Sequence, residues 1–121
     1  MSFVLLWVGV GALGGAAAMA RFLLDGLVST SSAGDFPMGT LAVNLSGTVV
    51  LGILVGVGLH GDAYLLGATA VIGSYTTFST WLLESHRLAE DGRRWILAAN
   101  VLLSLVLGVG AAELGRIIAG G

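Results

Sequence analysis

The chain has 121 residues, 56% of them hydrophobic, with five basic and seven acidic side chains and a formal net charge of −2. Its mean hydropathy is +0.98, whereas a soluble domain carries about a quarter charged residues. So few charges cannot solvate so apolar a globule, which excludes a soluble enzyme, a nucleic-acid binder and a disordered tail and leaves a membrane protein.

Stretches without an ionisable side chain mark the membrane spans: residues 1–20, 36–59, 63–83 and 95–112. Each approaches the ~20 residues a helix needs to cross ~30 Å of hydrocarbon. Four transmembrane helices are expected, near 3–24, 37–59, 63–85 and 94–118, since a helix satisfies its own backbone in lipid. The first lacks a basic n-region and is followed by another span, which argues against a cleaved signal peptide. Between the spans, Asp25–Phe36 reads as a Ser- and Gly-rich loop, His60-Gly61-Asp62 as a tight turn, and Ser85–Arg94 as the most charged connection. No repeat and no second domain interrupts this single four-helix unit of residues 1–121. It is too short to enclose a substrate chamber alone, so an oligomer is expected. With no cysteine, there is no disulfide framework and no thiolate metal site.

Small-xxx-small pairs occur at Gly11/Gly15, Gly52/Gly56 and Gly108/Ala112. They let helices approach closely, first within the subunit, the alternative being a dimer interface. All five basic residues are Arg, four of them (Arg21, Arg87, Arg93, Arg94) on one side of the expected topology and Arg116 on the other. The positive-inside rule then puts both termini outside.

The polar residues within the spans carry the chemistry. Pro37 suits a first helical turn, and Thr40, Asn44 and Thr48 recur every fourth residue along the second span. A lone hydroxyl bonds back to its own helix, but an Asn amide brings two donors and an acceptor that hydrocarbon cannot satisfy. Asn44 therefore needs a partner or lines a wet path. In the third span, Gly73-Ser74-Tyr75-Thr76-Thr77-Phe78-Ser79-Thr80-Trp81 is poor material for a continuous helix and predicts a broken one, the alternative being a kink relieved by hydroxyls. Freed carbonyls at a break must be satisfied by protein, water or an ion. Phe78 and Trp81 share a face at i, i+3 and, taken alone, read as core packing. Glu84, four residues after Thr80, reads as an interfacial carboxylate. Asn100, Ser104 and Gly108 form a polar stripe in the fourth span. No charge lies at mid-span, which argues against a proton-coupled antiporter. What remains is a set of neutral donors: amides, hydroxyls and the positive edges of aromatic rings. Such groups can replace water around an anion without holding it too tightly to conduct.

The runs PxGTLxVNxxG (Pro37–Gly47) and GxxTTFSTxxxE (Gly73–Glu84), set on four short spans, resemble the Fluc fluoride-channel family, also called CrcB. The likeness covers essentially the whole chain, with Ala17 where the family usually has glycine. It implies an all-α antiparallel dimer with two narrow pores lined by both subunits, exporting cytoplasmic fluoride passively across the cell inner or plasma membrane. By this resemblance Asn44 donates to the ion, Phe78 and Trp81 offer ring edges, and Ser79, Thr80 and Thr40 form a hydroxyl track. Asn100 and Ser104 line the pore from the fourth span, Arg21 sits in a vestibule and Glu84 near a pore end. Backbone carbonyls of Gly73 and Thr76 hold a structural Na+ at the dimer centre, and chloride is rejected by narrowness and the demand for dehydration. Two positions depart from the family: Trp81 replaces its second phenylalanine, and Asn100 stands where tyrosine is usual. Some members occur as pairs of oppositely oriented chains with one degenerate pore, and the Arg bias and both substitutions fit such a pair. The alternatives to a homodimer are thus a heterodimer with an oppositely oriented paralogue, or a non-conducting structural subunit. Nothing supports catalysis, and His60 and His86 at the span ends read as surface residues.

Overall fold

A computed structural model describes residues 2–32 and 34–120, and among these every regular element is helical. The first helix, α1, runs Phe3–Ser31 and is capped by the Ser2 hydroxyl, which accepts from Leu5 N–H at 3.2 Å. It continues well past the expected end near 24. The hydroxyls of Thr30, Ser31 and Ser32 donate to the carbonyls of Gly26, Leu27 and Val28 at 2.8, 2.8 and 2.7 Å. Side chains that compete with the backbone in other settings here bond along their own helix. Most of the Ser-rich stretch read as a loop is therefore the last two turns of α1.

Helix α2 (Met38–Gly56) follows Pro37 and ends at Val57, ahead of a turn in which Gly58 and Gly61 have positive φ. The next stretch is helical in three styles: α3 (Gly61–Tyr64), a wide π segment (Leu65–Ile72) and α4 (Gly73–Tyr75). At Thr76 the backbone turns extended, with φ −74° and ψ 158°, and helix resumes as α5 (Ser79–Glu90). The third predicted span is thus two helical halves around an interruption at residues 76–78. Its second half overruns the expected end near 85, so much of the charged connection is helix. After Gly92, with φ +71°, α6 runs Arg94–Ile118.

Three helices are long and apolar enough to cross a membrane: Phe3–Ser31, Met38–Gly56 and Arg94–Ile118. The interrupted stretch offers no single helix of that length. Large hydrophobic side chains along the outside of α1 and α6 are exposed, Phe22 by 73% and Val109 by 74%. Such a surface is at home only in lipid or against another apolar surface, and the chain is a multi-pass membrane protein.

The most extensive pairing is α2 against α6, while α1 packs on α2, the π segment and α4, and α5 rests on α6. The α2–α6 contact is backbone to backbone. A Cβ on Gly52 would run into the Ala112 carbonyl, and one on Gly115 into the Val49 carbonyl and Ile53 nitrogen. Gly56 likewise lies against Arg116 and Ala119. Of the three small-xxx-small pairs, Gly52/Gly56 therefore packs within the subunit against α6, whereas Gly11, Gly15 and Gly108 face open space. The innermost side chains include Val43, Thr40 and Asn100, at 0%, 1% and 1% exposure. Two of these are polar, and both are hydrogen-bonded, as burial requires.

Candidate functional site

The helix break is seated on α2 by one side chain. The Asn44 amide Nδ2 donates to the Thr77 carbonyl at 2.9 Å, and the Thr77 N–H donates to Asn44 Oδ1 at 2.8 Å. Because a peptide N–H can only donate and its carbonyl only accept, this pair fixes which way the Asn44 amide faces. One Nδ2 proton remains free of the pair. Three residues along, Gly47 lets the break approach: a Cβ there would stand 2.5 Å from Thr76 Cγ2 and 3.0 Å from Tyr75 Cδ2. Tyr75 Oη and Ser46 Oγ, 2.9 Å apart, add a third tie to α2.

Beyond the break, Thr77 Oγ1 accepts from Thr80 N–H at 3.2 Å, as a capping hydroxyl does at the start of a helix. Two amide protons are thereby withdrawn from the backbone ladder. In a continuous helix Thr77 N–H would bond the Gly73 carbonyl and Thr80 N–H the Thr76 carbonyl. Both point elsewhere, so these two carbonyls lack their helical donors. Uncharged oxygen ligands of this kind suit a hard cation. Among the described residues no group of three His, Cys, Asp or Glu side chains could hold a metal.

The break opens a cavity of about 350 Å³. Its polar lining comes from Asn44, Thr48, Thr76, Thr77 and Ser104, its apolar lining mainly from leucines of α2 and Leu105, and Phe78 and Trp81 stand along it. The two rings have centroids 5.6 Å apart at 46°. Phe78 is 69% exposed, while Trp81 is anchored: its Nε1–H donates to Ser104 Oγ at 3.0 Å. Behind it, Asn100 Nδ2 donates to Ser85 Oγ at 2.8 Å and Ser85 Oγ donates to the Trp81 carbonyl at 2.9 Å. The polar stripe of α6 thus grips α5 by two rungs.

A second cavity, of about 580 Å³, opens toward the loop after α1 and is lined in part by Ser29, Asp35, Glu84, Arg87, Asp91 and Arg93. Glu84 accepts from Thr40 Oγ1 at 2.5 Å, and Arg93 pairs with Asp35.

The residues singled out from the sequence therefore divide. Asn44, Phe78, Trp81 and Ser104 meet at the smaller cavity. Thr40 and Glu84 are bonded to each other, and Glu84 lines the larger one. Ser79 and Thr80 occupy the first turn of α5 and line neither cavity. Asn100 is buried behind Trp81 and touches Ser85 instead of the cavity. Arg21, half-buried on α1, also lines neither. The sequence reading missed Thr77 and Ser85. A hydroxyl just before a helix start was the available signal for Thr77; Ser85 had none, because only the packing of α5 on α6 gives it Asn100.

The model of the family described as CrcB-like protein, Camphor Resistance (CrcB), matches residues 6–116. The chain is 47% identical over 119 residues, 98% of each chain, to a protein of Mycolicibacterium paratuberculosis named fluoride-specific ion channel FluC 2. A protein of the same name from Mycobacterium tuberculosis is 48% identical over 116 residues, covering 96% of this chain and 92% of its own. Fluoride-specific ion channel FluC 1 of Symbiobacterium thermophilum is 39% identical, with 90% and 93% covered.

Proposed function

This chain belongs to the CrcB family, and on that footing we propose that it is a subunit of a fluoride-selective channel that lets cytoplasmic fluoride leave passively. The observation that carries the reading is the cavity at the helix break, where Asn44 keeps one amide proton beyond its bonds to Thr77 and stands beside Phe78 and Trp81. Fluoride leaves water only if other protons replace its hydration shell. Asn44 supplies an N–H, and the rings of Phe78 and Trp81 supply positive C–H edges. None carries a charge, so the ion is held by several weak sites and released. Ser79, Thr80 and Thr40 extend the path as hydroxyls toward Glu84 at one end, with Arg21 in a vestibule and Asn100 behind the lining.

The interrupted stretch from α3 to α5 serves as a fourth crossing, with its broken backbone turned toward a second, antiparallel copy. The open faces at Gly11 and Gly15, where an added Cβ meets nothing within 4 Å, and the 69% exposure of Phe78 support this. The Gly73 and Thr76 carbonyls would hold a Na+ ion between the copies, tying two breaks together. A heterodimer with an oppositely oriented paralogue is the second reading, favoured by the placement of four of the five Arg residues on one side.

The test is fluoride efflux from liposomes containing this chain alone. Rapid efflux that is lost in Asn44→Ala and Phe78→Ile is expected. A folded dimer without flux removes the homodimer, and flux restored by an oppositely biased paralogue establishes the heterodimer. Flux unchanged in both variants removes the proposed path.

A further inference from the structure

Two kinds of hydroxyl group can be told apart around the helix break. Ser46, Thr48, Thr76 and Ser85 donate their protons to carbonyls of their own helices, at 3.1, 2.6, 2.9 and 2.9 Å. Thr77 and Ser104 do the reverse: each accepts an N–H, from Thr80 at 3.2 Å and from Trp81 at 3.0 Å. Among the described residues neither hydroxyl proton has an acceptor. Both residues line the smaller cavity.

A hydroxyl brings one proton and two lone pairs. An N–H hydrogen seated on the oxygen repels the hydroxyl proton, so the proton rotates away from it, and the bond polarises the O–H so that it donates more strongly. Asn44 follows the same rule, its oxygen engaged by Thr77 N–H while one amide proton stays free. We infer that Thr77 and Ser104 are specificity-determining donors to the anion, held in donor polarity by the N–H groups of Thr80 and Trp81. This deepens the channel reading and rests on it for the identity of the anion. An anion entering the cavity meets protons at three neutral groups, whereas a cation meets oxygens already facing N–H. The substitution of Trp81 for the family's phenylalanine then has a purpose: only an indole brings the N–H that orients Ser104. Thr48 and Thr76 line the same cavity with their protons turned inward, and serve as internal contrasts.

The experiment reconstitutes the full chain and its variants in liposomes and measures fluoride efflux together with the fluoride-to-chloride permeability ratio. Thr77→Val and Ser104→Ala are expected to slow efflux about tenfold, the loss of one hydrogen bond to a charged group, and to lower the ratio, which a folding defect alone would not move. Trp81→Phe slows efflux as well, and Trp81→Phe combined with Ser104→Ala is no slower than Ser104→Ala alone, because the indole acts through the serine. Thr48→Val, which removes a hydroxyl whose proton is already bound to the Asn44 carbonyl, keeps the parent fluoride-to-chloride ratio. Efflux by Ser104→Ala at the parent rate, or losses that multiply in the double variant, would overturn the assignment. Fluoride titration of the detergent-solubilised chain by ¹⁹F NMR separates the two levels. Binding that weakens in Ser104→Ala, with no flux in the parent, sustains the donor assignment and defeats the channel; an absence of both defeats both.

Discussion

Replacing Asn44 by Ala removes both bonds that tie the helix break to α2. Each is a neutral hydrogen bond contributing about 1 kcal/mol net, and an orphaned donor or acceptor in a dry site costs about 1–3 kcal/mol more. The site does not stay dry. A cavity of about 350 Å³ has room for roughly ten waters at ~30 Å³ each, and these can reach the freed Thr77 peptide. The orphaning cost is then largely relieved and the two lost bonds remain, about 2 kcal/mol in all. At 1.4 kcal/mol per tenfold, local opening of the break rises about 30-fold. Hydrogen–deuterium exchange of the segment 76–80, in detergent, reads this directly: the Thr77 and Thr80 amides are expected to exchange about 30-fold faster while α2 and α6 keep their protection. Unchanged exchange at Thr77 would mean that the reciprocal pair does not hold the break, and the account of the site would lose its foundation.

Other outcomes follow from the same contacts. Gly115→Leu drives a side chain into the α2 backbone at Val49 and Ile53 and is expected to destabilise the fold by about 3 kcal/mol or more, seen as a fall in the detergent unfolding midpoint. Gly11→Ala meets nothing in the isolated chain, so it should leave the monomer unfolding midpoint unchanged; a loss confined to the dimer band on size exclusion would place this face at the subunit contact. Thr40→Val strips Glu84 of its hydroxyl partner, and efflux is expected to slow about tenfold without loss of helix by circular dichroism. Breaking the exposed pair of Arg93 with Asp35 by Arg93→Ala should cost at most about 1 kcal/mol and leave flux intact.

Much of the site was legible because lipid is an unforgiving solvent. Asn44 stood out as an amide without a partner in hydrocarbon, and the Gly73–Trp81 run as a poor helix; the two turn out to be one feature, the amide filling the gap in the backbone. Asn100 looked the same on paper and plays another part. Like Asn44 it demands a partner, and Ser85 supplies it, which leaves Asn100 behind Trp81 instead of beside the cavity. Periodicity places a polar residue on a helix face but does not say what that face meets. The Ser-rich end of α1 was misread as a loop for a related reason, because the choice between capping a turn and bonding along a helix depends on where the chain goes next.

Hydropathy and the spacing of charges by themselves determined that this is an all-helical membrane protein, since unpaired backbone cannot remain in lipid, and the poor helix-forming run Gly73–Trp81 marked its third segment as interrupted. Which glycines touch backbone, where the break lands and which way each hydroxyl points were decided only by tertiary packing. Those properties depend on the partner brought to within 3 Å of each group, and residues as distant in sequence as Asn44 and Thr77, or Trp81 and Ser104, become partners only when the helices have packed.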